Sequence, residues 1–240
     1  MESNRRWAVT AGVLFIVATL ASLLGTAIEQ PVLTGPDYLK RMSENMNQVS
    51  AGGLMELIAA VASVSIAISL YPVLKRSSAG LALGAVVFRT IEAVMYAAGA
   101  VSLLSLLGVA ERFAAAAPAE RAWTMAIADS VVANRQEAIL AGVFAFVVGA
   151  LIYYSLFYRA RIVPKWLAGW GIVGVLLLLV ACLSALFTRN PVTSYTILIL
   201  PIAVQEMVLA VWLISRGWRP TEDDSLRLGA QPLEAVKNEV

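Results

Sequence analysis

Histidine is absent from the 240 residues, and cysteine occurs once, as Cys182. The first absence removes the commonest metal ligand and physiological general base, and with it haem held through an imidazole. The second excludes an intramolecular disulfide and any zinc site built from cysteines. The expectation is therefore no metal and no cofactor. Charge is also scarce: Asp, Glu, Lys and Arg make up 14% of the chain, against about 25% in a soluble domain. A net charge of +2 supplies no electrostatic reason for a nucleic-acid partner. No GxxxxGK[ST] run occurs, and no stretch between the apolar segments is long enough to fold a nucleotide-binding domain.

What is present is apolar. Hydrophobic residues make up 60% of the chain and mean hydropathy is +0.78, too little polar surface to wrap a water-soluble globule. A bilayer core about 30 Å thick is crossed by about 20 apolar residues in a helix, because lipid offers backbone groups no hydrogen-bonding partner. Segments of that kind run from Trp7 to Ile28, Ala51 to Val73, Leu81 to Gly108, Ala138 to Tyr158, Trp166 to Phe187 and Val192 to Ser215. The fold class expected is all-α, a polytopic membrane protein with six transmembrane helices. It occupies residues 1–219 as a single domain; the polar stretch 220–240, with Glu222-Asp223-Asp224, is expected to be a disordered cytoplasmic tail.

Basic residues set the expected orientation. Arg5-Arg6, Lys75-Arg76, Arg159, Arg161, Lys165 and Arg216 fall on one side, and Trp7, Trp166, Trp170, Trp212 and Trp218 lie toward the same ends of their spans. That side reads as cytoplasmic, giving N-in/C-in in the plasma (inner) membrane. The first apolar run exceeds the roughly 7–15 residues of a signal-peptide core, so an uncleaved helix is expected. In the two longer outer loops, Leu39, Met42, Met46 and Val49, and then Trp123, Ile127 and Val131, recur at helical spacing after Pro36 and Pro118. Short amphipathic helices on the outer surface are expected there; extension of the neighbouring spans is the alternative.

Four ionisable residues fall at membrane depth: Glu56, Arg89, Glu92 and Glu206. Each costs about 2.5–3.5 kcal/mol at the centre of a span, and such groups usually face the bundle interior. Arg89 and Glu92 are three apart on one helix face and can pair directly, with Tyr96 a turn further on. Pro201 cannot donate to the Ile197 carbonyl, so a kink is expected just before Glu206. Small residues at Gly52, Ala60, Ser63 and Ala67, and at Ala138, Gly142, Ala145 and Gly149, mark faces where helices approach closely. Three carboxylates against one guanidinium leave −2 if all ionise, an imbalance that protons or a bound cation must offset in a low-dielectric interior. Asn134, Arg135, Gln136 and Glu137 form a polar group at the outer mouth of the fourth span. The bland alternative is a structural Arg89–Glu92 pair with Glu56 and Glu206 neutral and hydrogen-bonded between helices. Cys182 reads as core or lipid-facing filler.

At these residues the chain resembles the bacterial membrane family catalogued as domain of unknown function 4386. The segments that carry the resemblance begin with Pro36-Asp37-Tyr38-Leu39, Leu70-Tyr71-Pro72-Val73-Leu74-Lys75-Arg76 and Phe88-Arg89-Thr90-Ile91-Glu92-Ala93. They continue with Val163-Pro164-Lys165-Trp166-Leu167, Trp170-Gly171 and the run from Gln205-Glu206 to Leu213-Ile214. The resemblance implies a polytopic bacterial membrane protein and supplies no activity. Three readings of function stay open. One is a proton- or cation-linked protein that binds or transports a small cationic or apolar ligand through its intramembrane carboxylates. Another is a regulatory or structural subunit in a homodimer or with a partner membrane protein. The third is an intramembrane acid–base enzyme acting on a lipid or terpenoid.

Overall fold

The computed structural model describes residues 2–218; the tail expected at 220–240 lies outside the described residues. Seven α-helices follow one another: α1 (Glu2–Leu33), α2 (Tyr38–Glu44), α3 (Met46–Leu74), α4 (Ala79–Ala115), α5 (Pro118–Arg159), α6 (Lys165–Thr188) and α7 (Thr196–Arg216), the last preceded by a 3-10 turn at Val192–Tyr195. All but α2 are long and apolar enough to cross a membrane, which makes this a multi-pass membrane protein. Each span hydrogen-bonds its own backbone, the condition that lipid imposes on any segment crossing it. Sequence punctuation sets the ends. The Ser78 hydroxyl accepts from the Leu81 amide at the start of α4, Pro118 occupies the first turn of α5, and Arg189 closes α6 in the left-handed region at φ 58°.

Short connections make successive spans antiparallel neighbours, and the last packs on the first. Contacts run α1–α3, α3–α4, α4–α5, α5–α6, α6–α7 and α7–α1, so the six spans form a closed ring. The ring closes tightly near the N-terminus. A Cβ on Gly12 would lie 2.8 Å from the Ala210 carbonyl oxygen of α7 and 2.7 Å from Ile214. On the same face Phe15, Tyr153, Tyr154 and Phe157 are wholly buried, and Tyr154 lies so close to Gly171 of α6 that a Cβ there would fall 2.5 Å from its ring. Gln205, fully buried, ties three spans together at this level. It accepts from the Tyr154 hydroxyl (2.5 Å) and donates to the Leu167 carbonyl (3.0 Å).

The opposite face, here the far face, departs from expectation in two ways. A short helix does follow Pro36, but its apolar side is not free to lie on a membrane. Leu39 and Met42 of α2 are fully buried in a cluster with Val32, Val49, Leu103, Leu106 and Ala128, so α2 is a wedge packed against α4. The second stretch is not separate at all. From Pro118 to Arg159 no glycine or proline interrupts the chain before Gly142, and one 42-residue helix results. At 1.5 Å per residue α4 and α5 measure about 55 and about 63 Å, roughly twice the hydrocarbon thickness, so together they project as a hairpin from the far face. The helix α7 runs unbroken through Pro201.

The close approach at Gly12 can be tested against a permissive site. Gly12→Ala is expected to lower the stability of the detergent-solubilised protein by about 1–3 kcal/mol through overpacking against α7. Gly108→Ala meets nothing within 4 Å and should be neutral or gain up to about 1 kcal/mol from helix propensity. Thermal unfolding of the two variants side by side checks this; equal midpoints would refute the tight α1–α7 contact.

Candidate functional site

The ring encloses a cavity of about 530 Å³, lined from every span: Ser22 and Glu29 of α1, Glu56 and Ser63 of α3, Arg89, Glu92 and Tyr96 of α4, Arg135 and Phe146 of α5, Leu178 of α6, Ile202 and Glu206 of α7. Its volume is in the range of small-molecule sites, about 300–1,000 Å³. Its charges fall into two groups.

The first group sits at mid-depth. Arg89 Nη1 lies 2.9 Å from Glu92 Oε2, with both side chains within 4% of full burial. The Ser63 hydroxyl donates to Glu92 Oε1 at 2.9 Å, which satisfies the carboxylate's other oxygen from α3. The guanidinium also stands over the Phe146 ring, 4.8 Å from its centroid, a cation–π contact that accepts a charge where water is excluded. Glu206 completes the group from α7. Its Oε1 accepts from the Tyr153 hydroxyl at 3.4 Å, and no cationic side chain among the described residues lies within ion-pair distance of it. The small residues of α5 have a specific use here. A Cβ on Gly149 would come 3.3 Å from Arg89 Cγ, and one on Gly142 would strike the Tyr96 ring at 2.8 Å. The stripe expected to bring backbones together makes room for the polar side chains of α4.

Glu56 does not join this group, contrary to the single constellation expected from the sequence. It pairs with Arg135 of α5, and Arg135 Nη2 also holds Glu29 Oε1 at 2.7 Å. The register explains the separation: Glu56 and Ser63 are two helical turns apart on α3, about 10 Å along the axis. Glu29 was not anticipated, because the first apolar run ends at Ile28 and the residue reads as loop. In fact α1 continues to Leu33 and Glu29 is only 4% exposed, lodged where Gly52 leaves space, 3.3 Å from that residue's Cβ position. A signal was available. Thr19, Ser22, Thr26, Gln30 and Thr34 recur every three or four residues, and all line the cavity, which marks a polar helix face running past Ile28.

Of the residues assigned to an outer mouth, Arg135 and Gln136 line the cavity, while Asn134 and Glu137 are exposed and do not. A contact beyond that assignment closes over the same end. The Tyr38 hydroxyl of α2 donates to Asp129 Oδ1 of α5 at 3.0 Å. Burial, helped by the neighbouring Asp129 carboxylate, pushes the Tyr38 phenol above its ordinary range. Cys182 is fully buried in the apolar core and is not among the residues lining the chamber. Among the described residues no group of three or more Cys, Asp and Glu side chains could hold a metal ion.

Four carboxylates (Glu29, Glu56, Glu92, Glu206) and two guanidiniums (Arg89, Arg135) thus make up the two groups, giving −2 within them if all ionise, one excess carboxylate per group; a fifth lining carboxylate, Asp129, is exposed at the far mouth. These features define a class: a six-span helical ring in the membrane around an acidic internal chamber. The chain belongs to the family described as Domain of unknown function (DUF4386), whose pattern it matches over residues 10–217. No curated protein and no solved structure matches it. The match takes in Arg89, Glu92, Glu206 and the second group alike.

Removing Arg89 alone would leave the Glu92 carboxylate buried without its cation, a loss of about 3–5 kcal/mol for a typical buried pair, whereas replacing both members by apolar groups is often near neutral. Arg89→Leu is therefore expected to cut the yield of monodisperse protein in detergent, and Arg89→Leu with Glu92→Leu to restore much of it. Size-exclusion profiles of the two variants decide; a single variant as stable as the parent over a broad pH range would show that the pair carries no such energy.

Proposed function

We propose that the protein binds small cations inside the plasma membrane and transports them, with protons as the alternative occupants of its intramembrane carboxylates. The observation that supports this is the imbalance in the two charge groups inside the chamber: two more carboxylates than guanidiniums, leaving aside Asp129, which is exposed at the far mouth, in a space walled by apolar spans. An unbalanced charge of that size is not held in a low-dielectric interior, so two positive charges, as protons or as ligand, accompany the carboxylates. Exchange between the two kinds of occupant is the physical basis of coupling to a proton gradient.

The ends of the chamber differ, as a carrier requires. Toward the N-terminal face it is stopped by Tyr153, Tyr154 and Gln205 with their bonds to Glu206 and Leu167. Toward the far face the lining residues Gln30, Thr34, Asp129, Gln136 and Thr193 are exposed. A cation arriving from the far face meets Arg135 shared between two carboxylates, then Glu206. Once bound at Glu206 it competes with the Tyr153 hydroxyl for Oε1, and that bond belongs to the stopper. Occupancy and the state of the stopper are linked through this one oxygen.

The reading is tested in proteoliposomes carrying a proton gradient, with guanidinium and a quaternary ammonium ion as probes that do not cross as neutral species. Uptake above protein-free vesicles is expected, collapsing about tenfold or more in Glu206→Gln at equal reconstitution, in line with the cost of losing a charged partner in a desolvated site. No uptake and no binding of any cation by the parent protein would refute it.

A further inference from the structure

The two acidic groups are neither merged nor independent. One continuous cavity holds both. On α3 they are set by Glu56 and Ser63, about 10 Å apart along the helix axis. The wall between them is apolar on two sides: α3 contributes Ala59, and α5 contributes Ile139 and Val143, which fall between Arg135 and Phe146 in the chain. Each group has one guanidinium and two carboxylates, so each has room for one further positive charge. Within the far group Glu29 Oε2 and Glu56 Oε2 are buried with no hydrogen-bond partner, which is where an incoming donor is missing. Two negative stations in one cavity with an apolar stretch between them match a molecule with a positive charge at each end and methylenes in the middle.

We propose that the ligand is a linear dication, an α,ω-diamine or polyamine, with one ammonium at Glu206 and the other between Glu29 and Glu56. This rests on the cation-binding reading above. The ammonium between Glu29 and Glu56 supplies the donors that their orphaned oxygens lack, the one at Glu206 supplies a cation to a carboxylate without an ion-pair partner among the described residues, and the spacer lies along Ala59, Ile139 and Val143. On the opposite wall the Ser22 and Thr26 hydroxyls of α1 also line the cavity; they can accept from a secondary ammonium in the middle of a polyamine. A monoamine reaches only one station and leaves the other acidic group uncompensated. Joining the two charges in one molecule turns the second contact into an intramolecular event, with the gain that effective concentration brings.

Binding to the detergent-purified full chain, followed by titration calorimetry at fixed ionic strength, tests the proposal. The probes are α,ω-diamines of increasing length, spermidine, the monoamines of matching carbon number, and Mg²⁺ as a compact dication that cannot span the stations. Affinity is expected to rise to an optimum where the ammonium separation is on the order of 10 Å, with the matched monoamine and Mg²⁺ weaker by about tenfold or more. Glu56→Gln should bring the best diamine down to the monoamine's affinity. The length series uses the parent protein alone, so the proposal stays testable if that variant fails to fold. Monoamines binding as tightly as diamines, or affinity indifferent to length, would overturn the dication while leaving the cation-binding reading intact. Failure of every cation, including guanidinium, to bind or move would overturn both.

Discussion

Everything inside the ring depends on two arginines. Among the described residues Arg89 and Arg135 are the only cationic side chains that line the chamber, and each stands between helices whose carboxylates would otherwise repel one another at short range. Arg135 reaches from α5 to carboxylates on α1 and α3. Arg89 binds Glu92 on its own helix, rests on Phe146 of α5 and acts through space on Glu206 of α7. Between them these contacts touch five of the six spans. Apolar helices in lipid gain little from hiding hydrophobic surface against each other, since lipid tails are as apolar as leucine. Charge pairing and close packing are therefore what select one neighbour over another.

Close packing is uneven around the ring, and the unevenness makes the chamber. Near the N-terminal face, glycines let backbones and rings interlock: Gly12 against α7, Gly171 under Tyr154, Gly174 against Ile202. Further along α5 the same residue type serves both ends: Gly149 brings α5 within 3.5 Å of the Ala85 carbonyl oxygen of α4, and with Gly142 it leaves space that the Tyr96 ring and the Arg89 stem fill. One end of the molecule is a packed aromatic plug. The other is held by polar contacts and by α2, wedged beside the α4–α5 hairpin. Polar contacts can exchange one partner for another at modest cost, whereas a packed core admits few arrangements. The asymmetry places any opening and closing at bonds such as Tyr153–Glu206 and Tyr38–Asp129 rather than in the helices themselves.

The shared oxygen of Glu206 connects the chamber to its plug. Tyr153 and Tyr154 are adjacent on α5, with ring centroids 4.5 Å apart. Their hydroxyls go to Glu206 and Gln205, adjacent on α7. Two neighbouring residues on one helix thus meet two neighbouring residues on another, one pair at the edge of the chamber and the other tying into the backbone of α6. The two rings are in contact, so the two hydroxyls are held by one packed unit.

Periodicity and composition sufficed for the spans, for their number, and for Arg89 and Glu92 as a pair, because those features are local. A run of about 20 apolar residues has one stable solution in lipid, and residues three apart on a helix meet whatever else the chain does. Length without a helix breaker likewise implied the option of one continuous helix from Pro118, which is what formed. The partner of Glu56 was not legible. Arg135 lies 79 residues away, and only the placement of α3 and α5 on either side of α4, running in the same direction, brings the two side chains to one depth. Glu29 was missed for a related reason, since whether it is loop or interior depends on where α1 ends. That is decided by the pocket Gly52 opens on α3 and by Arg135 waiting there. The sequence determined which residues are too costly to leave in lipid; the tertiary structure alone decided how they divide into two groups, because pairing energy depends on distance across helices and no spacing along a single helix encodes it.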